Sequence, residues 1–251
     1  MLEVRDLSVQ FSGLKALTDV SLDVAPGEVK ALIGPNGAGK TTLFNAITGY
    51  VRPTSGRVAL NGEEIQALTA HEIAAKGVRR TFQNGGLFGE MTVLENVLTG
   101  LHAEIPAGVL GTLLGLSSAR RAEREAVARA RRLLDLMDIA HMADQPVRDL
   151  SGGQQRMVEI VRALATEPPL LMLDEPAVGL APPVRTQLME IVRRLAGEEG
   201  VGIVLIEHAI DLVMKGADRI VVLAAGQVIA EGTPDDVRQN QDVLEAYLGH
   251  A

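Results

Sequence analysis

The sequence predicts an α/β protein whose mostly parallel sheet is split by a helical insertion, and three observations carry that prediction. Short, largely apolar runs at 29–33, 170–173, 203–206 and 220–223 have the length and composition of strands buried on both faces. The first three are each followed by a helix-forming span, and repeated βα units imply parallel strands flanked by helices. Between about residues 90 and 166 the pattern changes to helical spacing with few β-branched runs.

Residues 2–11 alternate apolar and polar, but the parity slips near Arg5 and Asp6, which predicts a paired strand with a bulge. A second strand is expected over 20–24, ending at the turn Pro26-Gly27. The apolar run 29–33 ends in Gly34, and a helix is expected from Gly39 to Gly49. Residues 53–83 hold two turns, Pro53-Thr54-Ser55-Gly56 and Asn61-Gly62, around a short strand, then a helix near 70–76. In the insertion, Val127, Ala130, Leu133, Leu134 and Met137 share one helical face, and Arg120, Arg121, Glu123, Arg124 and Glu125 mark its solvated start. A helix is expected over 155–166. The βα alternation then resumes with strand 170–173, a helix from Pro183, strand 203–206, a helix from Ala209 and strand 220–223. Gly226-Gln227 turns into a last strand, and helical pieces follow Thr233 and Gln241.

Composition narrows the function. With 47% hydrophobic and 22% charged residues the 251-residue chain has the make-up of a folded globular protein of one large domain or two small ones. The longest uncharged run, 105–119, carries Pro106, Gly108, Gly111 and Gly115 and falls short of the roughly 20 apolar residues of a spanning helix. The opening MLEVRDL places Glu3 and Asp6 where a signal peptide has a basic patch and an apolar stretch, so a cytoplasmic location is expected. The absence of cysteine removes disulfides, thiolate metal sites and a cysteine nucleophile. A net charge of −8 argues against a broad nucleic-acid footprint, so any phosphate binding has to be local.

One segment meets that requirement. Gly34, Pro35, Asn36, Gly37, Ala38, Gly39, Lys40 and Thr41, followed by Thr42, satisfy G-x-x-x-x-G-K-[ST] between a buried strand and a helix. The glycines let successive N–H groups point inward, and the helix presents its positive end to phosphate. Lys40 is expected to reach the β- and γ-phosphates of ATP, and the Thr41 hydroxyl to sit on Mg²⁺. Strand 170–173 runs into Asp174 and Glu175 at the end where open α/β sheets place ligands. Asp174 suits Mg²⁺ held through water, and Glu175 suits orienting or deprotonating the attacking water. Leu150-Ser151-Gly152-Gly153-Gln154 opens a helix that Ser151 caps. Taken alone this is an ordinary N-cap, but a second anion-binding helix start beside one phosphate loop implies a site completed elsewhere.

GPNGAGKTT, LSGGQ and LMLDEP stand in the order and spacing of ATP-binding cassette (ABC) ATPases, and the resemblance runs from the first strand to the final helix. It implies a P-loop NTPase cassette with an antiparallel β portion, a RecA-like core over 1–89 and 167–251, and a helical subdomain over 90–166. It also implies that two cassettes face each other head to tail, so that Ser151, Gly152, Gly153 and Gln154 of one chain complete the ATP site of the other. On the same ground Gln83 matches the loop glutamine that touches Mg²⁺ and answers the membrane partner, and His208 the histidine that contacts the γ-phosphate. Phe11 resembles the aromatic that stacks on adenine, with core packing as the other reading. Ala181 and Ala209 depart from the pattern, which has Asp or Asn at the first position and often Asp at the second. They put communication across the dimer in doubt, not ATP binding.

FSGLKAL, GLFGEMTVLENV, EPAVGLAP, LIEHAIDLVM and DVLEAYLG look like the ATPase of branched-chain and other hydrophobic amino-acid importers, with 105–116 where that subfamily carries an extended insertion. The resemblance implies ATP hydrolysis, a homodimer or a heterodimer with a related cassette, and integral membrane permease subunits. It also implies, indirectly, a periplasmic solute-binding protein, no nucleic acid, and a peripheral position on the cytoplasmic face of the inner membrane. ATPases of other ABC systems (lipopolysaccharide export, urea or aromatic solute uptake), a soluble non-transport cassette and a nucleotide-sensing scaffold remain open at this point.

Overall fold

The computed structural model describes residues 1–81, 86–101 and 117–248. Two compact units form, one from 1–80, 169–178 and 185–251, the other from 81–168 and 179–184. The boundary expected at 89/90 lies earlier, at 80/81, and 179–184 joins the second unit although it follows the Asp174 strand in sequence.

In the first unit, β1 (Leu2–Phe11), β2 (Leu14–Val24), β4 (Ser55–Leu60) and β5 (Glu63–Glu64) make an antiparallel sheet in the order β2-β1-β4-β5. The expected bulge is present: pairing of β1 with β2 shifts register between Val4 and Leu7, and Asp6 takes a φ of +49°. β2 is longer than the expected 20–24 because the hairpin turn Ser12-Gly13, with φ of +43° and +94°, starts the strand at once. Asn61-Gly62 makes a second turn of this kind between β4 and β5.

The second sheet of this unit has the order β10-β9-β3-β8-β7-β6. β3 (Val29–Ile33), β7 (Leu170–Asp174) and β8 (Gly202–Ile206) are buried at every position, as the apolar runs require of strands covered on both faces. β9 (Arg219–Ala224) pairs parallel with β3, and β10 (Gln227–Gly232) turns back antiparallel through Ala225-Gly226. β6 (Val78–Arg80) pairs parallel with β7 at the far edge, a strand absent from the sequence reading because only one of its three residues is apolar. The core joins both sheets around α1 (Lys40–Ile47), with Leu43, Phe44 and Ile47 fully buried. α2 (Ala70–Ala75) precedes β6.

The second unit is helical. α3 (Val93–Gly100) packs on α4 (Ser117–Leu136) and on α5 (Gly152–Leu164). In α4, Ala130, Leu133, Leu134 and Met137, at the helix end, are buried, while Arg121, Glu123, Arg124 and Glu125 are exposed and Arg121 pairs with Glu125 at 2.8 Å. Asn96, fully buried on α3, accepts from Phe88 N–H and donates to the carbonyls of Phe88, Met91 and Thr92, which ties the preceding loop to the helix. The remaining helices belong to the first unit: α6 (Pro182–Glu199), all but its first residues, and α7 (Ile210–Gly216), α8 (Pro234–Gln239) and α9 (Gln241–Leu248).

Candidate functional site

β3 ends at Ile33, and the chain must double back before α1 begins at Lys40. Gly34 makes this possible: with a φ of +150°, a Cβ there would lie 2.0 Å from the Leu223 carbonyl oxygen. Gly39, at φ +105°, is the N-cap of α1, and no side chain caps the helix start. The first-turn N–H groups of α1 are thereby left to a ligand, with the positive end of the helix behind them. The buried Lys40 folds over the loop, its Nζ donating to Gly34 O at 2.7 Å and Pro35 O at 3.0 Å. Burial lowers its pKa from the ordinary lysine value, and the neighbouring Glu175 charge raises it in opposition.

A cleft of about 440 Å³ opens beside this loop, lined by residues 36–42, by Leu14, Lys15 and Ala16, by Glu175 and His208, and by Ala225 and Gly226. Three separate segments thus bring loop, carboxylate and imidazole to one place. Glu175, just past β7, holds a φ of +48°, unusual for a side chain of its size, and donates its N–H to Ile206 O at 3.0 Å. His208, just past β8, places Nε2 2.8 Å from Glu175 Oε1.

Asp174 is buried, and Arg80 meets it. Arg80 Nη2 donates to Asp174 Oδ2 at 2.7 Å while Nη1 donates to Asn45 Oδ1 at 2.6 Å, and its Cζ lies 5.5 Å from the Phe44 ring centroid. Thr41 is exposed in the cleft. A hydroxyl and a carboxylate are hard oxygen donors that fit Mg²⁺, which takes only one or two protein ligands beside phosphate oxygens. Among the described residues no group of three or more acidic or histidine side chains forms a cage for it.

In the second unit Ser151 is the N-cap of α5 in a reciprocal box: its hydroxyl accepts from Gln154 N–H, and Gln154 Oε1 accepts from Ser151 N–H at 2.8 Å. The helix therefore starts at Gly152, earlier than the expected residue 155. A Cβ on Gly152 would meet nothing within 4 Å, whereas one on Gly153 would lie 3.2 Å from Val184 Cγ1.

Phe11, 45% exposed at the end of β1, does not line the cleft. Gln83 lies outside the described residues, as does the segment 105–116. Ala181 is exposed, and Ala209 caps α7 without a side-chain hydrogen bond. Two residues that the sequence reading passes over belong to the site: Arg80, and the buried Glu207, whose carboxylate accepts from the backbone of Ala177 and His208. A charged residue directly abutting a wholly apolar strand is the available signal for Glu207.

The family model described as ABC transporter matches residues 17–178, and one described as branched-chain amino acid ATP-binding cassette transporter matches 227–251. The chain belongs to the ABC transporter family. A high-affinity branched-chain amino acid transport ATP-binding protein, BraF, of Pseudomonas aeruginosa is 46% identical, covering 100% of this chain and 98% of its own length. Its counterpart LivG of Escherichia coli K12 is 44% identical over the same shares of both chains. The solved ADP conformation of an ATP-binding cassette of an ABC transporter superposes with a TM-score of 0.86 at 36% identity, covering 99% of this chain and 98% of that one. The cassette is an ATPase of the kind that powers transport, and the open sequence reading of a negligible-turnover scaffold gives way to it.

Proposed function

We propose that this chain powers the uptake of branched-chain or other hydrophobic amino acids through separate membrane permease subunits. The observation that carries the solute class is full-length similarity to BraF and LivG together with the C-terminal match over 227–251. No helix among the described residues is long and apolar enough to cross a membrane, which suits a peripheral subunit on the cytoplasmic face.

In this reading residues 34–42 hold the triphosphate of ATP, the uncapped α1 N-terminus and Lys40 supplying the positive charge. Thr41 would hold Mg²⁺ directly and Asp174 through water, with Gln83 as a further contact; when bound, the ion neutralises charge developing on the phosphate oxygens. Glu175 orients and deprotonates the attacking water, and the 2.8 Å hydrogen bond with His208 sets the carboxylate's direction. His208 in turn contacts the γ-phosphate. Phe11, exposed at the end of β1, is free to stack on adenine. Ser151, Gly152, Gly153 and Gln154 grip the γ-phosphate of a partner chain: the Ser151 cap fixes the helix start while leaving both glycines slim enough for close approach. ATP then favours the closed dimer, and hydrolysis removes the contacts that held it. The closing and reopening drive the permeases, and a periplasmic binding protein delivers the solute to them.

Reconstitution tests the assignment. The chain, co-purified from native membranes with its permeases and binding component, should accumulate leucine, isoleucine or valine in vesicles only when ATP is enclosed. Uptake of none of these, with uptake of a chemically different solute, refutes the solute class and leaves the ATPase intact.

A further inference from the structure

Glu207 is 2% exposed at the last turn out of β8, and the chemistry assigned above makes no use of it. Its two carboxylate oxygens are divided between two segments of chain. Oε1 accepts from Ala177 N–H at 2.7 Å, two residues after Glu175; Oε2 accepts from His208 N–H at 3.2 Å, and the carboxylate also accepts from Ala209 N–H. A buried carboxylate is costly to keep without partners, and here the partners are backbone N–H groups that no helix or strand satisfies. Among the described residues its donors are fixed N–H groups, which suit an acceptor-only group with two oxygens, among side chains an ionised Asp or Glu. Burial, with Glu175 adding to it, raises its pKa above the usual carboxylate value, and the three backbone donors oppose that rise.

The segments it joins are the two that carry the cleft carboxylate and imidazole. Glu175 itself donates its N–H to Ile206 O, so the chain after β7 is tied to the end of β8 twice, once before and once after the φ of +48° at Glu175. We infer that Glu207 is a positioning residue for hydrolysis, clamping the chain after Glu175 to the chain at His208 so that the Glu175–His208 hydrogen bond is set before nucleotide arrives. The inference rests on the roles proposed above for Glu175 and His208.

Glu207→Gln keeps the volume but turns an NH₂ toward one of the backbone donors, so one arm of the clamp is lost. In the full-length chain we expect kcat to fall about tenfold to a hundredfold, the range that follows from small misplacement of a reacting group. KM and the affinity for a fluorescent ATP analogue should stay within about threefold, because Glu207 does not line the phosphate loop. Glu207→Asp, which keeps the charge but shortens the reach, should recover less than half of the loss. In a Glu175→Gln background, Glu207→Gln should cost nothing further, since the group it positions is gone. Wild-type turnover by Glu207→Gln beside an inactive Glu175→Gln overturns the inference alone. A loss that multiplies with that of Glu175→Gln also overturns it, because it makes Glu207 merely structural. Normal turnover by Glu175→Gln overturns the underlying role and the inference with it. Should Glu207→Gln fail to fold, hydrogen exchange on the wild-type chain decides: the Ala177 amide should exchange at least about a hundredfold slower than an open loop amide, and unprotected exchange refutes the clamp.

Discussion

Replacing Arg80 with Met tests whether the end of β6 holds Asp174 in place. The two side chains are 9% and 5% exposed and 2.7 Å apart, so Arg80→Met would take a counter-charge away from a buried carboxylate. Breaking a buried pair from one side costs about 3–5 kcal/mol. The hydrogen bond to Asn45 and the contact over Phe44 are lost with it, and they fall within that range. For a chain of this size the cost corresponds to a drop in melting midpoint of about 6–20 °C, at roughly 2–4 °C per kcal/mol. Arg80→Lys keeps the charge and loses the fork, so its drop should be smaller, about 1–2 kcal/mol in forfeited hydrogen bonds. The double variant Arg80→Met with Asp174→Asn removes the carboxylate charge as well and should recover part of the stability, which a double-mutant cycle followed by thermal unfolding would read as coupling of the pair. A drop below about 2 °C for Arg80→Met, or no recovery in the double variant, refutes the argument that this ion pair holds the strand end.

Other expectations concern the phosphate loop. Gly34→Ala forces a Cβ to within 2.0 Å of Leu223 O unless the loop shifts, so equilibrium dialysis should show ATP binding weakened at least tenfold. Lys40→Ala should abolish tight nucleotide binding in the same assay; unchanged affinity would remove these residues from phosphate binding. Because burial holds the Lys40 pKa below the ordinary lysine value and a bound phosphate raises it, binding takes up a proton above the free-state pKa. ATP affinity should therefore be constant below that pKa and fall, by at most about tenfold per pH unit, as pH rises through it. Affinity that stays flat into the alkaline range, or a fall that persists unchanged in Lys40→Arg, contradicts this.

Much of this architecture can be read from the chain because burial on both faces leaves a nearly continuous apolar run, as in β8, in β7 up to Asp174, and in β3 apart from Lys30, which is buried and pairs with Glu231. The bulge in β1 is legible for a related reason: a one-residue slip moves every later side chain to the other face, so Leu2 and Val4 differ in parity from Leu7 and Val9. β6 and the first half of β2 carry no such pattern, since their stability comes from neighbours and a hairpin turn. The start of α5 is hard to place from the chain because two glycines argue against a helix interior, and the Ser151–Gln154 cap outweighs them. At the site, Lys40, Glu175 and His208 can be found from local motifs and the family resemblance, and the fold brings them to one cleft. Arg80 cannot, and Glu207 shows only as a charge abutting an apolar strand, because the role of each depends on a partner elsewhere in the chain, Asp174 for one and Ala177 for the other. A buried charge is recognisable only once the groups that neutralise it are in view.

In the proposed cycle ATP is held between two cassettes, by the loop at Lys40 of one and the helix start at Ser151 of the other. Light scattering of the Glu175→Gln chain at saturating ATP, alone and beside its natural companion subunits, tests it most directly. A stable dimer should appear with ATP and disperse in the Ser151→Arg variant. Monomers alone under every one of these conditions would contradict it.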